Sequence, residues 1–169
     1  LGLGILPTGA KGDMVEQPVL ARIYRQMASL KKTARDSVVD FPVHSCTDVT
    51  GFSLLGHGFE MAQGSGVSLH IQTGQVPFHP EAWELAQMGF IPAGAYRNRE
   101  YTAAGVHVRE GIPLAMEDIL YDPQTSGGLL IALPEKEGMA CLRRLREAIP
   151  EAAAVGYVTE AREYAVYLE

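Results

Sequence analysis

Apolar positions from Met14 to about Ala34 recur at helical spacing: Val15, Val19, Leu20, Ile23, Met27 and Leu30, with Lys31, Lys32 and Arg35 crowding the far end. This predicts one amphipathic helix. Val38 to Cys46 reads as a strand through Val38, Val39, Phe41 and Val43, and a second helical pattern opens at Gly51 with Phe52, Leu55, Phe59 and Ala62, stopped by Gly64-Ser65-Gly66. Val67, Leu69 and Ile71 then alternate with Ser68, His70 and Gln72, the period of a half-buried strand. A short helix is expected from Pro80 to Met88, ended by Gly89.

Residues 91–105 show no period and predict a long loop with a functional or interfacial role. A short strand at Val106–Val108, a turn at Gly111–Pro113 and the segment Met116–Leu120 lead to the polar, glycine-ended loop Asp122–Gly128. Leu129–Leu133 is a continuous apolar run, expected as a strand buried on both faces, and Lys136–Ala148 is a helix carrying Met139, Leu142 and Leu145 towards Ile149. Ala152–Val158 and Tyr164–Leu168 complete the expected sheet as a hairpin. Strands alternating with helices, without repeats or linkers, predict one α/β or α+β domain over residues 1–169.

Composition narrows the function classes. Fourteen Lys+Arg against twenty Asp+Glu give a net charge of −6, which leaves no electrostatic footprint for duplex nucleic acid or an anionic membrane. No apolar run approaches the roughly 20 residues of a membrane span. Two cysteines without CxxC spacing point to free thiols and a reducing, cytoplasmic setting. The opening Leu1-Gly2-Leu3-Gly4-Ile5 lacks Met and signal-peptide character, so the chain is expected to be cut from something longer.

The first candidate site is His44-Ser45-Cys46-Thr47-Asp48-Val49-Thr50-Gly51-Phe52, where a strand ends and a glycine turn opens a helix. Helix-start N–H groups attract phosphate, and a carboxylate such as Asp48 beside them can hold a bridging Mg²⁺. An Asp or Thr before a helix also serves simply as an N-cap, and spacing alone leaves both readings open. His44, Cys46 and Asp48 share one strand face and could in principle hold a softer metal, although a buried Cys and a hydrogen-bonded His are the simpler expectation. His57 lies inside the second helix, where a lone His is most often packed or capped. In Asp122–Gly128, glycines allow close backbone approach while Gln124, Thr125 and Ser126 offer neutral hydrogen-bonding groups; a tight turn into a strand explains the same residues. Arg97 and Arg99 form a further anion candidate, with solvated surface as the default.

Taken together, His44–Phe52 with Leu54-Leu55-Gly56-His57, then Glu60-Met61-Ala62, Gly89-Phe90-Ile91-Pro92, Arg97-Asn98 and Asp122–Leu130 resemble the C-terminal half of the selenophosphate synthetase (selenide, water dikinase) family. The resemblance runs from about residue 1 to 160. It implies an aminoimidazole ribonucleotide synthetase C-terminal-type domain: an α/β/α sandwich around a mixed sheet, with partly ferredoxin-like topology. It also implies an enzyme that converts ATP, selenide and water to selenophosphate, orthophosphate and AMP with Mg²⁺, and a homodimer formed mainly through N-terminal domains. One metal-binding aspartate of the family maps onto Asp48. Thr47, Thr50, Gly51, Asn98, Asp122, Gln124, Thr125 and Ser126 are the accompanying candidates for contact with ATP.

The family's Cys or selenocysteine, its essential Lys and its glycine-rich phosphate segment have no counterparts in these 169 residues. The resemblance therefore predicts a half that lacks catalytic groups, partners an N-terminal domain and is inactive alone. Leu3 departs from the family pattern where Thr is expected, Ser53 where Gly is usual, and Gly58 where a bulkier residue is common. The alternatives are another enzyme of the same ATP-dependent superfamily, or a binding and dimerisation module without catalysis.

Overall fold

A computed structural model describes residues 1–169. The chain runs α1 (Ile5–Ala10), α2 (Gln17–Ala28), α3 (Lys32–Val38), β1 (Ser45–Asp48), α4 (Ser53–Ser65), β2 (Val67–Ile71), a 3-10 turn (Thr73–Gln75) and α5 (Glu81–Gln87). It continues α6 (Ala93–Thr102), β3 (Val106–Val108), α7 (Leu114–Tyr121), β4 (Leu129–Ala132), α8 (Glu135–Ala148), β5 (Gly156–Glu160) and β6 (Val166–Leu168). No helix is long and apolar enough to cross a membrane.

Four strands form a mixed sheet in the order β3-β6-β2-β5, with β2 parallel to β6, β6 parallel to β3, and β2 antiparallel to β5. Alternation along β2 sends Leu69 and Ile71 to the core face, where Val106, Val166 and Leu168 join them beneath Leu54, Leu55 and Phe59 of α4. On the opposite face, register places His107 beside Tyr167, Tyr167 beside His70, and His70 beside Tyr157. The His70 ring is stacked between the two tyrosines at 4.8 and 4.7 Å, a row of cross-strand pairs that ties the strands together. A second core gathers Ile5 and Leu6 of α1, Leu20 and Ile23 of α2, and Ala82 and Leu85 of α5. Helix α7 joins the two cores: Ala115 and Ile119 face the second, Leu120 and Tyr121 the first.

A separate antiparallel pair, β1 and β4, carries the candidate motifs. Its register sets Thr47 opposite Leu130 and Asp48 opposite Leu129.

Several expected elements take another form, each for a physical reason. The helix expected over 14–34 is two helices, because Ser29 turns extended (ψ 137°) and Leu30, which extended the apolar period, is 81% exposed. Residues expected as a strand from Val38 begin instead at the end of α3; Pro42 offers no N–H, and ladder pairing starts only with His44 N–H donating to the Ala132 carbonyl. The expected 91–105 loop contains α6. Its inward positions are Ala95, Asn98 and Thr102, so two of three buried residues are polar and no apolar period marks the helix.

The run at Leu129 is half-buried rather than central, with Leu130 its one buried residue, because its only strand partner is β1. The expected hairpin of β5 and β6 is interrupted: β2 lies between them. Ser68 on β2 anchors the crossing segment, its hydroxyl donating to the Tyr164 carbonyl and accepting the Arg162 N–H.

Candidate functional site

The end of β1, the turn into α4 and the Asp122–Gly128 loop meet at one place. Val49 N–H donates to the Gly128 carbonyl at 2.8 Å, and Gln124 N–H donates to the Thr50 carbonyl at 3.0 Å. Gly127 makes this contact possible, since a Cβ there would lie 2.2 Å from the Val49 carbonyl oxygen. The two motifs thus form a single structural unit.

Asp48 sits exposed at the end of β1 and is not a helix cap. The residue flanking α4 is Phe52, which makes no side-chain cap hydrogen bond. Ser53 has φ +68°, a left-handed conformation that favours glycine, the residue expected in its place from the sequence. Thr50 Oγ1 lies 3.0 Å from His57 Nε2, and His57 Nδ1 lies 3.4 Å from the Glu60 carboxylate. Phe52 is half exposed at the mouth of this turn, stacked on Tyr101 of α6 at 5.9 Å.

Asn98, Asp122 and Gln124 are buried and hold the backbone of the site. The Asn98 amide donates to the Gly51 carbonyl at 2.9 Å and the Tyr121 carbonyl at 3.2 Å, fastening the turn to the end of α7. Asp122 accepts the Gly4 N–H at 2.8 Å and the side-chain amide of Gln124 at 2.9 Å. The Gln124 side-chain oxygen accepts the Leu3 N–H at 3.2 Å. Burial pushes the Asp122 carboxyl up to about 6, against the opposing pull of the Gly4 and Ile5 N–H groups and Gln124. Its Oδ1 has no hydrogen-bond donor; it faces the Gly4 Cα, where an added Cβ would lie 2.3 Å away.

Among the other sequence candidates, Thr47, Gly51, Thr125 and Ser126 flank this junction with exposed or partly exposed positions, and Ser126 is held at φ +56°. His44 and Cys46 are also exposed, the latter contrary to the expected buried thiol. Partial burial and the neighbouring Asp48 carboxylate push the Cys46 thiol up, and no group of three or more His, Cys, Asp or Glu side chains converges to hold a metal. The soft-metal option on this strand face therefore fails. Arg97 is exposed, whereas Arg99 is engaged with Glu117 and Asp118 and lies over the Tyr121 ring, bracing α6 on α7. Sequence reasoning missed the partners of His57 and the seat of Leu3-Gly4; the i,i+3 spacing of His57 and Glu60 was the one available signal.

A strand end, a glycine turn and a polar loop thus meet on a mixed α/β frame, with the Asp48 carboxylate and Thr125 exposed beside the junction. The family model described as AIR synthase related protein, C-terminal domain, matches residues 13–169, and the chain belongs to that family. Among curated relatives, a protein of Treponema denticola named "Selenide, water dikinase" is 41% identical over 168 residues, covering 96% of this chain and 47% of its own length. A namesake from Caldanaerobacter subterraneus subsp. tengcongensis is 40% identical over 169 residues, covering 99% and 49%. One from Clostridioides difficile is 49% identical over 136 residues, covering 80% and 39%.

The chain spans about half the length of the curated relatives it matches. Solved structures of the hydrogenase maturation protein HypE share the fold at 22% identity. One, without a stated ligand, has a TM-score of 0.53 over 80% of this chain and 35% of its own; the other, in complex with ATP, has 0.56 over 85% and 38%.

Proposed function

We propose that this chain is the C-terminal domain of a two-domain selenide, water dikinase, a cytoplasmic enzyme that makes selenophosphate, AMP and orthophosphate from ATP, selenide and water. The observation that carries the reading is the extent of the similarity to curated relatives of that name, over 96% and 99% of the chain at 41% and 40% identity. The N-terminal domain of the same protein is the partner that completes the site. The complete enzyme is a homodimer through that other domain, while this domain alone is monomeric or weakly associated and inactive.

In this reading Asp48 is the Mg²⁺ ligand of this half. A single exposed carboxylate flanked by Thr47 and Thr50 fits a hard cation that takes its other oxygens from phosphates, water and the other domain; it does not fit a self-contained cage. Bound Mg²⁺ would neutralise phosphate charge during phosphoryl transfer. Thr47, Gly51, Thr125 and Ser126 offer backbone and hydroxyl groups to the nucleotide. Asn98, Asp122 and Gln124 contribute by holding the turn, the loop and the Leu3-Gly4 segment in register. No general acid, base or nucleophile is assigned to this half.

The test is phosphorus NMR of the complete protein that carries this chain, given ATP and Mg²⁺ with and without selenide. Selenophosphate and AMP appearing only with selenide support the reading. ATP left intact, or hydrolysis indifferent to selenide, would point to another substrate within the superfamily or to a binding module.

A further inference from the structure

One flank of α6 borders both motifs of the candidate site and is covered by nothing in this chain. Gly94, Arg97 and Tyr101, at spacings of three and four, lie along it next to Asn98, whose amide holds the Gly51 carbonyl at 2.9 Å. At one end, a Cβ added to Gly94 would lie 3.0 Å from Pro123 Cγ and 3.8 Å from Arg97 Nη2, which puts the guanidinium near the start of the Asp122–Gly128 loop. At the other end, the Tyr101 ring stacks on Phe52 at 5.9 Å and meets the core ring of Phe59 edge-on at 6.0 Å. Phe52 directly follows Gly51, so the line from Pro123 through Arg97 to Tyr101 and Phe52 runs from one motif to the other.

Phe52 is 50% exposed and Tyr101 56%, yet both rings are held in place. Phe52 is fixed between Tyr101 and the His57 ring, whose centroid is 5.6 Å away, and it seats so closely on α4 that a Cβ at Gly56 would lie 2.9 Å from the Phe52 Cβ. Rigid rings that stay half in water lose little conformational entropy on docking, and aromatic and Arg side chains are the ones enriched at interfaces. Arg97 is exposed and pairs with no acid, whereas Arg99 on the opposite flank of α6 is held by Glu117 and Asp118. In a chain of net charge −6, the flank beside the site thus offers a free cation next to a preformed aromatic pair.

Its position says what covers it. Two curated relatives are about twice as long as this chain, which accounts for 47% and 49% of their lengths. A second half that completes a site at Asp48 has to approach the Thr47–Phe52 turn and the Asp122–Gly128 loop, and this flank is continuous with both. We infer that Phe52, Tyr101 and Arg97 form the surface on which the other half of the protein docks, the stacked rings receiving apolar side chains and Arg97 a carboxylate. This rests on the reading of the chain as one of two domains that share a site, and it deepens that reading by naming where the domains meet.

The test is hydroxyl-radical footprinting of the complete protein that carries this chain, without nucleotide, with each ring's oxidation rate referred to its rate in urea. Exposures of 50% and 56% slow an uncovered ring only about 2-fold, whereas a ring inside an interface that excludes water should slow roughly 10-fold or more. The larger protection is expected at both Phe52 and Tyr101, independent of protein concentration. Arg97→Glu should cut that protection roughly 3-fold, because a carboxylate would then face a carboxylate. Far-UV circular dichroism checks that the variant keeps its fold.

Protection of only about 2-fold, the value for uncovered rings, would overturn the inference. So would protection that appears only with added ATP, which would make nucleotide the cover, or that grows with protein concentration, which would make it a second copy. Protection unchanged by Arg97→Glu would overturn the place given to Arg97. The footprint needs no turnover: protected rings in a protein that forms no selenophosphate would sink the dikinase reading alone, and uncovered rings in one that does would sink the docking surface alone.

Discussion

The Gly4 N–H donates to the Asp122 carboxylate at 2.8 Å, joining residues 118 positions apart and seating the start of the chain against the candidate site loop. The carboxyl is fully buried, and burial raises it from 3.8 to about 6. An acid raised on folding binds its proton more tightly in the folded state. Its contribution to stability is therefore full below pH 3.8 and is lost as pH rises through about 6. Relative to wild type, Asp122→Asn should gain stability between about pH 4 and pH 7, by up to about 3 kcal/mol. Urea unfolding across that range measures the difference; a constant offset between the two proteins would refute the assignment.

Gly127 and Gly128 are neighbours with opposite requirements. A Cβ at Gly127 would meet the Val49 carbonyl at 2.2 Å, whereas one at Gly128 would meet nothing within 4 Å. Gly127→Ala should destabilise by roughly 1–3 kcal/mol and separate the loop from the turn, with Gly128→Ala nearly neutral. Paired thermal denaturation curves check this. Equal effects of the two substitutions would show that the loop does not rest on Val49.

Asn98 links two carbonyls through one amide. Asn98→Ala should cost about 1–3 kcal/mol by leaving those carbonyls without a donor. Asn98→Asp should cost more, because a carboxylate there would face two acceptors. Chemical denaturation at neutral pH orders the three proteins, and an Asp variant as stable as wild type would remove Asn98 from its bracing role.

The sequence made legible what depends on local period and on motif strings. Strand β2 alternates cleanly, α4 has both an apolar stripe and a glycine stop, and the Thr47–Gly51 and Asp122–Gly128 strings marked the two halves of the site before their meeting was known. What escaped was set by tertiary contacts. Helix α6 buries Asn98 and Thr102 and is fixed by Arg99 pairing with α7, so its stabilising face is polar and carries no hydrophobic signal. The separation of β5 from β6 depends on β2 entering between them, which no local pattern encodes. In the same way, the burial of Asp122 and Gln124 follows from the arrival of Leu3 and Gly4, nearly the whole chain away.

The role proposed for Asp48 is that of a cation ligand in an ATP site shared with the other half of a selenide, water dikinase. Its most direct test is selenide-dependent AMP formation by the complete protein across a Mg²⁺ titration, wild type against Asp48→Asn, with thermal unfolding of both. Turnover should fall by roughly 100-fold or more in Asp48→Asn, with a higher Mg²⁺ requirement and little change in unfolding because Asp48 is exposed. The isolated 169-residue chain should form no AMP. Wild-type turnover by Asp48→Asn at every Mg²⁺ concentration would contradict it.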